Sequence, residues 1–231
     1  MKRRKQFLVL SLCVLAVAAV PAWAVVAPMD SASFATKFEC DAWPSPDFPQ
    51  SVGSPTVNGD GTITYVTSTS TLAEWAAPSL PASYTIEWRM QITSSGETYG
   101  AFPVSYYNAA TPAGTILTSL GSDYLAYYDG SAFASLAMGD NTDAMHTFRL
   151  AYDDDNPGSL FVWRDGVSLG TIATANTDWG TDLYWMGGFG AASGGGVVDY
   201  FRWTEGAYSP VPEPMTLALL GLGALLARKR S

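Results

Sequence analysis

The chain has 231 residues, a formal net charge of −9, 48% apolar residues and 13% aromatics. That much apolar side chain suffices for one domain with a sizeable core and excludes a disordered polymer. The acidity excludes a nucleic-acid binder, which would need basic side chains to neutralise phosphates.

The elements read as follows in chain order. Lys2, Arg3, Arg4 and Lys5 form a basic head, and Phe7 to Val20 form an apolar run. Ala22-Trp23-Ala24 is then an A-x-A cleavage site. This order predicts a Sec-type signal peptide over residues 1–24, cut by signal peptidase between Ala24 and Val25. A linker over 25–32 leads into a domain over 33–207.

The domain reads as all-β. Asn58-Gly59-Asp60-Gly61 turns the chain into a strand over Thr62 to Thr67. Tyr84, Ile86, Trp88, Met90 and Ile92 alternate with Thr85, Glu87, Arg89 and Gln91, which predicts a strand with one buried face. Further strands are expected over Gly100 to Tyr107, Thr115 to Leu120 and Leu125 to Tyr128. His146, Phe148, Leu150 and Tyr152 repeat the alternation. Leu160 to Arg164 ends at Asp165-Gly166, a strong hairpin signal before Val167 to Ile172. Strands over Leu183 to Phe189 and Val197 to Thr204 complete the body. Many short strands with glycine-rich turns in this length predict a sandwich.

Three segments carry this chemistry into a resemblance: His146-Thr-Phe-Arg-Leu-Ala-Tyr-Asp, Leu160-Phe-Val-Trp-Arg-Asp-Gly-Val and Asp199-Tyr-Phe-Arg-Trp. Together they resemble the laminin-G/concanavalin A-like jelly roll over roughly 33–207. The resemblance implies that the last strand pairs with the first, placing Phe34 to Glu39 beside Val198 to Trp203. It also raises the β-glucan hydrolases of that superfamily, which resemble one another in a strand bearing E-x-D-x-x-E. No such spacing occurs here: Glu87 is followed by Trp88 and Arg89, and Glu205 has no partner two residues away. Retaining chemistry needs two carboxylates about 5 Å apart. The sequence therefore predicts no enzyme.

Binding chemistry is better represented. Sugar rings stack on exposed aromatics while carboxylates and amides bond their hydroxyls. Tyr107, Tyr128, Asp129, Trp179 and Trp185 combine these groups in or near turns and are the candidate carbohydrate contacts; core packing is the competing role for each. Asp153-Asp154-Asp155-Asn156-Pro157-Gly158 offers Asp153 and Asp155 to a calcium ion. The same six residues are good turn formers and read first as a solvated hairpin turn. Pro157 stands where an EF-hand would place its third ligand. No cofactor is expected otherwise. Cys40 is the only cysteine past residue 24, which excludes an intramolecular disulfide there and suits a small buried hydrophobe.

After a proline-rich linker over 208–214, the chain ends in a thirteen-residue apolar run, Met215 to Ala227, and then Arg228-Lys229-Arg230-Ser231. Such a helix is about 20 Å long, short of a ~30 Å hydrocarbon core. Pro212 and Pro214 bar helix continuation and separate it from the body. Pro212-Glu213-Pro214, the apolar helix and the Arg228, Lys229 and Arg230 stop resemble the PEP-CTERM sorting tail of Gram-negative bacteria. That resemblance implies recognition by an exosortase, a membrane transpeptidase, with residues 215–231 as a transient inner-membrane anchor. With both ends set aside, five basic residues (Lys37, Arg89, Arg149, Arg164 and Arg202) face twenty acidic ones, a formal charge of −15. The sequence thus predicts an exported surface or matrix protein with a lectin-like body associating with exopolysaccharide. A purely structural coat protein is the alternative, and a polysaccharide-degrading glycoside hydrolase stands third.

Overall fold

The computed structural model describes residues 26–43, 50–52, 55–66, 72–76, 81–96, 100–108, 112–177, 181–185 and 194–211. The expected signal peptide, the Pro212-Glu213-Pro214 motif and the tail helix lie outside these residues. Among the described residues no helix is long and apolar enough to cross a membrane.

Strands dominate: β1 (Ala27–Met29), β2 (Thr36–Phe38), β3 (Gln50–Val52), β4 (Thr56–Val57), β5 (Ile63–Val66), β6 (Leu72–Ala76), β7 (Tyr84–Ser95), β8 (Phe102–Asn108) and β9 (Ile116–Leu120). They continue as β10 (Tyr124–Tyr128), β11 (Phe133–Ala137), β12 (His146–Tyr152), β13 (Ser159–Arg164), β14 (Val167–Ala173), β15 (Thr181–Trp185), β16 (Gly194–Glu205) and β17 (Tyr208–Pro210). One sheet runs β14-β13-β12-β7-β16-β5-β4, with β2 also on β16, and the other runs β11-β10-β9-β8-β15-β6-β3. The chain is therefore an all-β sandwich. As the sequence resemblance implied, β2 lies against β16, with Phe38 opposite Phe201 and Thr36 opposite Trp203. The Asp165-Gly166 turn has positive φ at both residues, 51° and 76°, which suits the right-handed twist of the strands that it joins.

The core is an aromatic layer between the sheets. Trp88 of β7 stacks on Phe148 of β12 at 5.6 Å and meets Phe102 of the opposite sheet at 6.2 Å. Tyr84 stacks on Tyr106 at 3.8 Å, and Tyr65 meets Phe102 edge-on at 5.4 Å. Rings of this size bury ~150–250 Å² each and dominate the packing. Cys40 sits fully buried at the core margin; burial, then nearby Asp199, Glu39 and Asp41, push its thiol pKa far upward.

One expectation is corrected in β7. The alternation promised one buried face, yet Thr85 (0% exposed) and Glu87 (2%) are buried on the outer one. The cover comes from the ends of the body. β1 and β17 form a separate parallel pair, with Ala27 opposite Tyr208 and Met29 opposite Pro210. Thr85 Oγ1 donates to the Gly206 carbonyl at 2.7 Å and accepts from the Tyr208 amide at 2.9 Å.

Candidate functional site

One candidate site is the face of the β11-to-β3 sheet that turns away from the core. In β8, Phe102, Val104 and Tyr106 belong to the core, so alternation places Pro103, Ser105 and Tyr107 on the far face. In β10, Leu125 and Tyr127 pack on the core, leaving Tyr124, Ala126 and Tyr128 outward. Register carries this face across the sheet. Gln50 pairs with Glu74, Glu74 with Tyr184, Tyr184 with Ser105 and Ser105 with Leu117, which makes one row over five strands. Ala76, Asp182 and Tyr107 form the neighbouring row.

At the β10–β11 end the face carries an aromatic pair. Tyr128 is half-buried, and Phe133, directly opposite it in the ladder, is 46% exposed. Their rings lie 5.3 Å apart and tilted by 54°. Asp129 closes the hairpin: its Oδ1 accepts from the Ser131 amide, the Ala132 amide and Ser131 Oγ, each at 2.8 Å. These bonds, the Ala132 amide first, hold its carboxyl below the usual carboxylate range. Tyr124 is fixed differently, its hydroxyl accepting from the Gly100 amide at 3.1 Å and donating to the Gly96 carbonyl at 3.3 Å. Ser105 and Ser119 are buried on this face, and neither hydroxyl takes part in a hydrogen bond. A buried hydroxyl in that state costs about 1–3 kcal/mol.

The other sequence candidates fall apart from one another. Tyr107 lies on the outward face but is only 5% exposed. Trp185 pairs with Val104 and Ala73, a position on the core side of the sheet. Trp179 lies outside the described residues, as do Ala22, Ala24, Val25, Arg228, Lys229 and Arg230. The acidic turn is locked by its own bonds. Asp153 accepts from the Asp155 amide at 3.2 Å and from Asn156 Nδ2 at 2.7 Å, while Asp155 is exposed. Among the described residues no three His, Cys, Asp or Glu side chains are grouped to hold a metal.

Sequence reasoning missed a buried ionic cluster on the outer side of the other sheet. Arg149 Nε donates to Glu87 Oε2 at 2.7 Å and Nη2 reaches the same oxygen at 2.5 Å. Tyr200 donates to Glu87 Oε1 at 3.1 Å, and Ser31 Oγ donates to that oxygen too. Arg149 Nη1 also donates to the carbonyls of Met29 (2.9 Å) and Ser209 (2.7 Å), and its guanidinium lies 5.0 Å from the Phe34 ring centroid. Burial, then the Glu87 charge, raise the pKa of Tyr200. The one available signal was Glu87 and Arg149 at non-core positions of two strands that turn out to be neighbours, facing each other in register.

No protein-family model and no curated protein matches the chain. Among solved structures it is similar to an endo-1,3-beta-glucanase from Streptomyces sioyaensis, at 14% identity over 80% of this chain and 92% of that one, TM-score 0.45. It is similar also to the CBM40 of a Ruminococcus gnavus IT-sialidase bound to alpha2,3 sialyllactose, at 15% identity, 55% and 78% coverage, TM-score 0.41. A bifunctional GH43-CE from Bacteroides eggerthii matches at 12% identity and TM-score 0.50, over 74% of this chain but 28% of the other. At these identities the likeness is one of fold. It corrects one expectation, that the chain is no enzyme: a fold similar to that of a bifunctional GH43-CE gives that exclusion no support. Register also places Glu74 and Asp182 on one face.

Proposed function

We propose that this chain is an exported surface or matrix protein whose body is a concanavalin A-like jelly roll, and that the outward face of the β11-to-β3 sheet binds a neutral polysaccharide. The observation that carries this reading is the ring pair on that face: Tyr128 and Phe133 stand opposite each other in the β10–β11 ladder with rings 5.3 Å apart, Phe133 46% exposed. Rings that stack on sugar faces and hydroxyls that bond sugar hydroxyls are the two things a glycan asks of a protein. Neutral glycans suit a body of formal charge −15, which repels anionic ones. In the same proposal the signal peptide hands the chain to the Sec machinery and signal peptidase. An exosortase then removes the tail at Pro212-Glu213-Pro214, leaving the body at the surface or in the matrix.

The test is one preparation with two readings. Protein recovered from outside the producing cells is weighed by mass spectrometry and then run through gels containing that organism's exopolysaccharide. A mass beginning at Val25 and lacking residues 215–231, together with retarded migration, is the expected result. Tyr128→Ala weakens the retardation about 3–10-fold, the worth of one ring contact. Unretarded migration leaves a structural surface protein, and a mass containing the tail overturns the sorting step.

A further inference from the structure

A sheet that stops at an open strand presents that strand's amides and carbonyls to any other strand that fits, and proteins blunt such edges by shortening, bulging or charging them. Among the described residues the two sheets end at β3, β4, β14 and β11. β3 and β4 are three and two residues long. β14 is bulged opposite Val162 and Trp163, its Gly170 takes a φ of 100°, and the Gly170 amide donates to Ser168 Oγ at 3.3 Å. β11 has none of these devices. Phe133-Ala-Ser-Leu-Ala137 runs five residues in unbroken register with β10 and carries neither charge nor proline. β14 meets β10 across the sandwich, which leaves β11 at the rim.

The ladder shows which way its backbone groups point. The Asp129 amide donates to the Ala132 carbonyl at 3.0 Å, and the Met138 amide donates to the Asp123 carbonyl at 2.9 Å. Bonded positions alternate in an antiparallel pair. Ala134 and Leu136 therefore bond to β10, while Ser135 and Ala137 turn their amides and carbonyls away from it. Both of these residues are exposed.

We infer that β11 is the docking edge for a second copy of this chain, paired antiparallel about a two-fold axis through Ser135. The strand's fit to itself is what selects a second copy. In that register Ser135 meets its own twin, Ala137 meets the second copy's Phe133, and Leu136 meets the second copy's Ala134. Each large side chain thus faces a small one across the seam. Phe133, 46% exposed, does so on the outward face, and Leu136 does so on the side where it already packs against the core. Neither strand brings a charge to the contact, although each body carries a formal −15. A two-fold contact closes on itself and stops at two copies. One strand pair covers far less than a standard interface of roughly 1,600 Å², so the association is weak and governed by concentration.

The experiment uses the full chain in detergent. Ser135→Cys and Phe133→Cys are oxidised with diamide and resolved on non-reducing gels, with the unaltered chain as the blank for Cys13 and Cys40. Sedimentation equilibrium is read in parallel over a wide range of concentration. The axis brings residue 135 to about 5.5 Å from its twin, within disulfide reach, and holds residue 133 about 14 Å from its own, so Ser135→Cys should cross-link at least ~10-fold faster than Phe133→Cys. Sedimentation should show monomer and dimer, with association strengthened by salt, which screens the repulsion between two acidic bodies. Ser135→Pro removes only an amide that points away from β10, and Ala137→Lys charges the edge; each should weaken association at least ~10-fold at an unchanged melting temperature. Equal cross-linking of the two cysteine variants overturns the inference. So does a chain that stays monomeric at every concentration, association that falls with salt, or association that survives both edge variants.

Discussion

At the scale of single residues the dominant feature is Arg149, a guanidinium 3% exposed whose bonds reach a carboxylate and two carbonyls from opposite ends of the body. A buried pair is expensive to assemble, since both ions leave water, but far more expensive to break on one side. Arg149→Met would strand the Glu87 carboxylate and remove the donor from Met29 and Ser209. Urea denaturation should show a loss of about 3–5 kcal/mol. Glu87→Gln should lose less, because Arg149, although left without its counter-charge, keeps its bonds to the Met29 and Ser209 carbonyls and can still donate to the amide oxygen. Equal losses in the two variants would mean that the charge pair, rather than the carbonyl bonds, holds the cluster.

At the scale of elements, the twelve-residue β16 organises one sheet, pairing with β7, β5 and β2. Its entry, Gly194-Gly195-Gly196, passes where side chains have no room. A Cβ on Gly196 would lie 2.6 Å from the Gln91 carbonyl oxygen, and one on Gly195 would lie 2.7 Å from that of Tyr65. Gly196→Ala should cost about 1–3 kcal/mol, read as a lower melting temperature with β-sheet circular dichroism retained. The same strand shows what was legible beforehand. Val197 to Thr204 was readable because it is rich in aromatics, Tyr84 to Ile92 and His146 to Tyr152 because apolar side chains alternate there, and the Asp165-Gly166 hairpin from turn chemistry. β11 (Phe133–Ala137) escaped because Ala and Ser dilute its alternation, and its own burial is slight. β1 and β17 escaped because three residues carry no period at all. The two rows of the candidate site escaped for a deeper reason: register between strands far apart in sequence sets which residues share a face, and no single-strand pattern records it. Tyr128 and Asp129 were found at their hairpin because turn signals are local.

At the scale of the whole molecule, charge is distributed so as to choose among ligands. Five basic residues remain in the body, and four of them are ion-paired: Arg149 with Glu87, Arg202 with Glu39 at 2.8 Å, Arg89 with Asp199 at 2.5 Å and Arg164 with Asp165 at 3.9 Å. The remainder is a surplus of carboxylates. Retardation by a neutral glycan should therefore change little between 50 mM and 500 mM salt, because stacking and neutral hydrogen bonds are not screened. Dextran sulfate at low salt should give no retardation, and retardation by it that salt abolishes would contradict the neutral-ligand reading.

The β1–β17 pair has a mechanical meaning. Were the tail held in a membrane while a polymer tugged on the opposite sheet, load would enter at Val211 and run straight down β17. Two parallel strands with their hydrogen bonds lying across that line meet the pull in shear, so the bonds share the load. Arg149 bolts the same junction by gripping one carbonyl from each strand, Met29 and Ser209. The body would thus be moored at its own seam, so that tension reaches the aromatic interior only after that seam has given way.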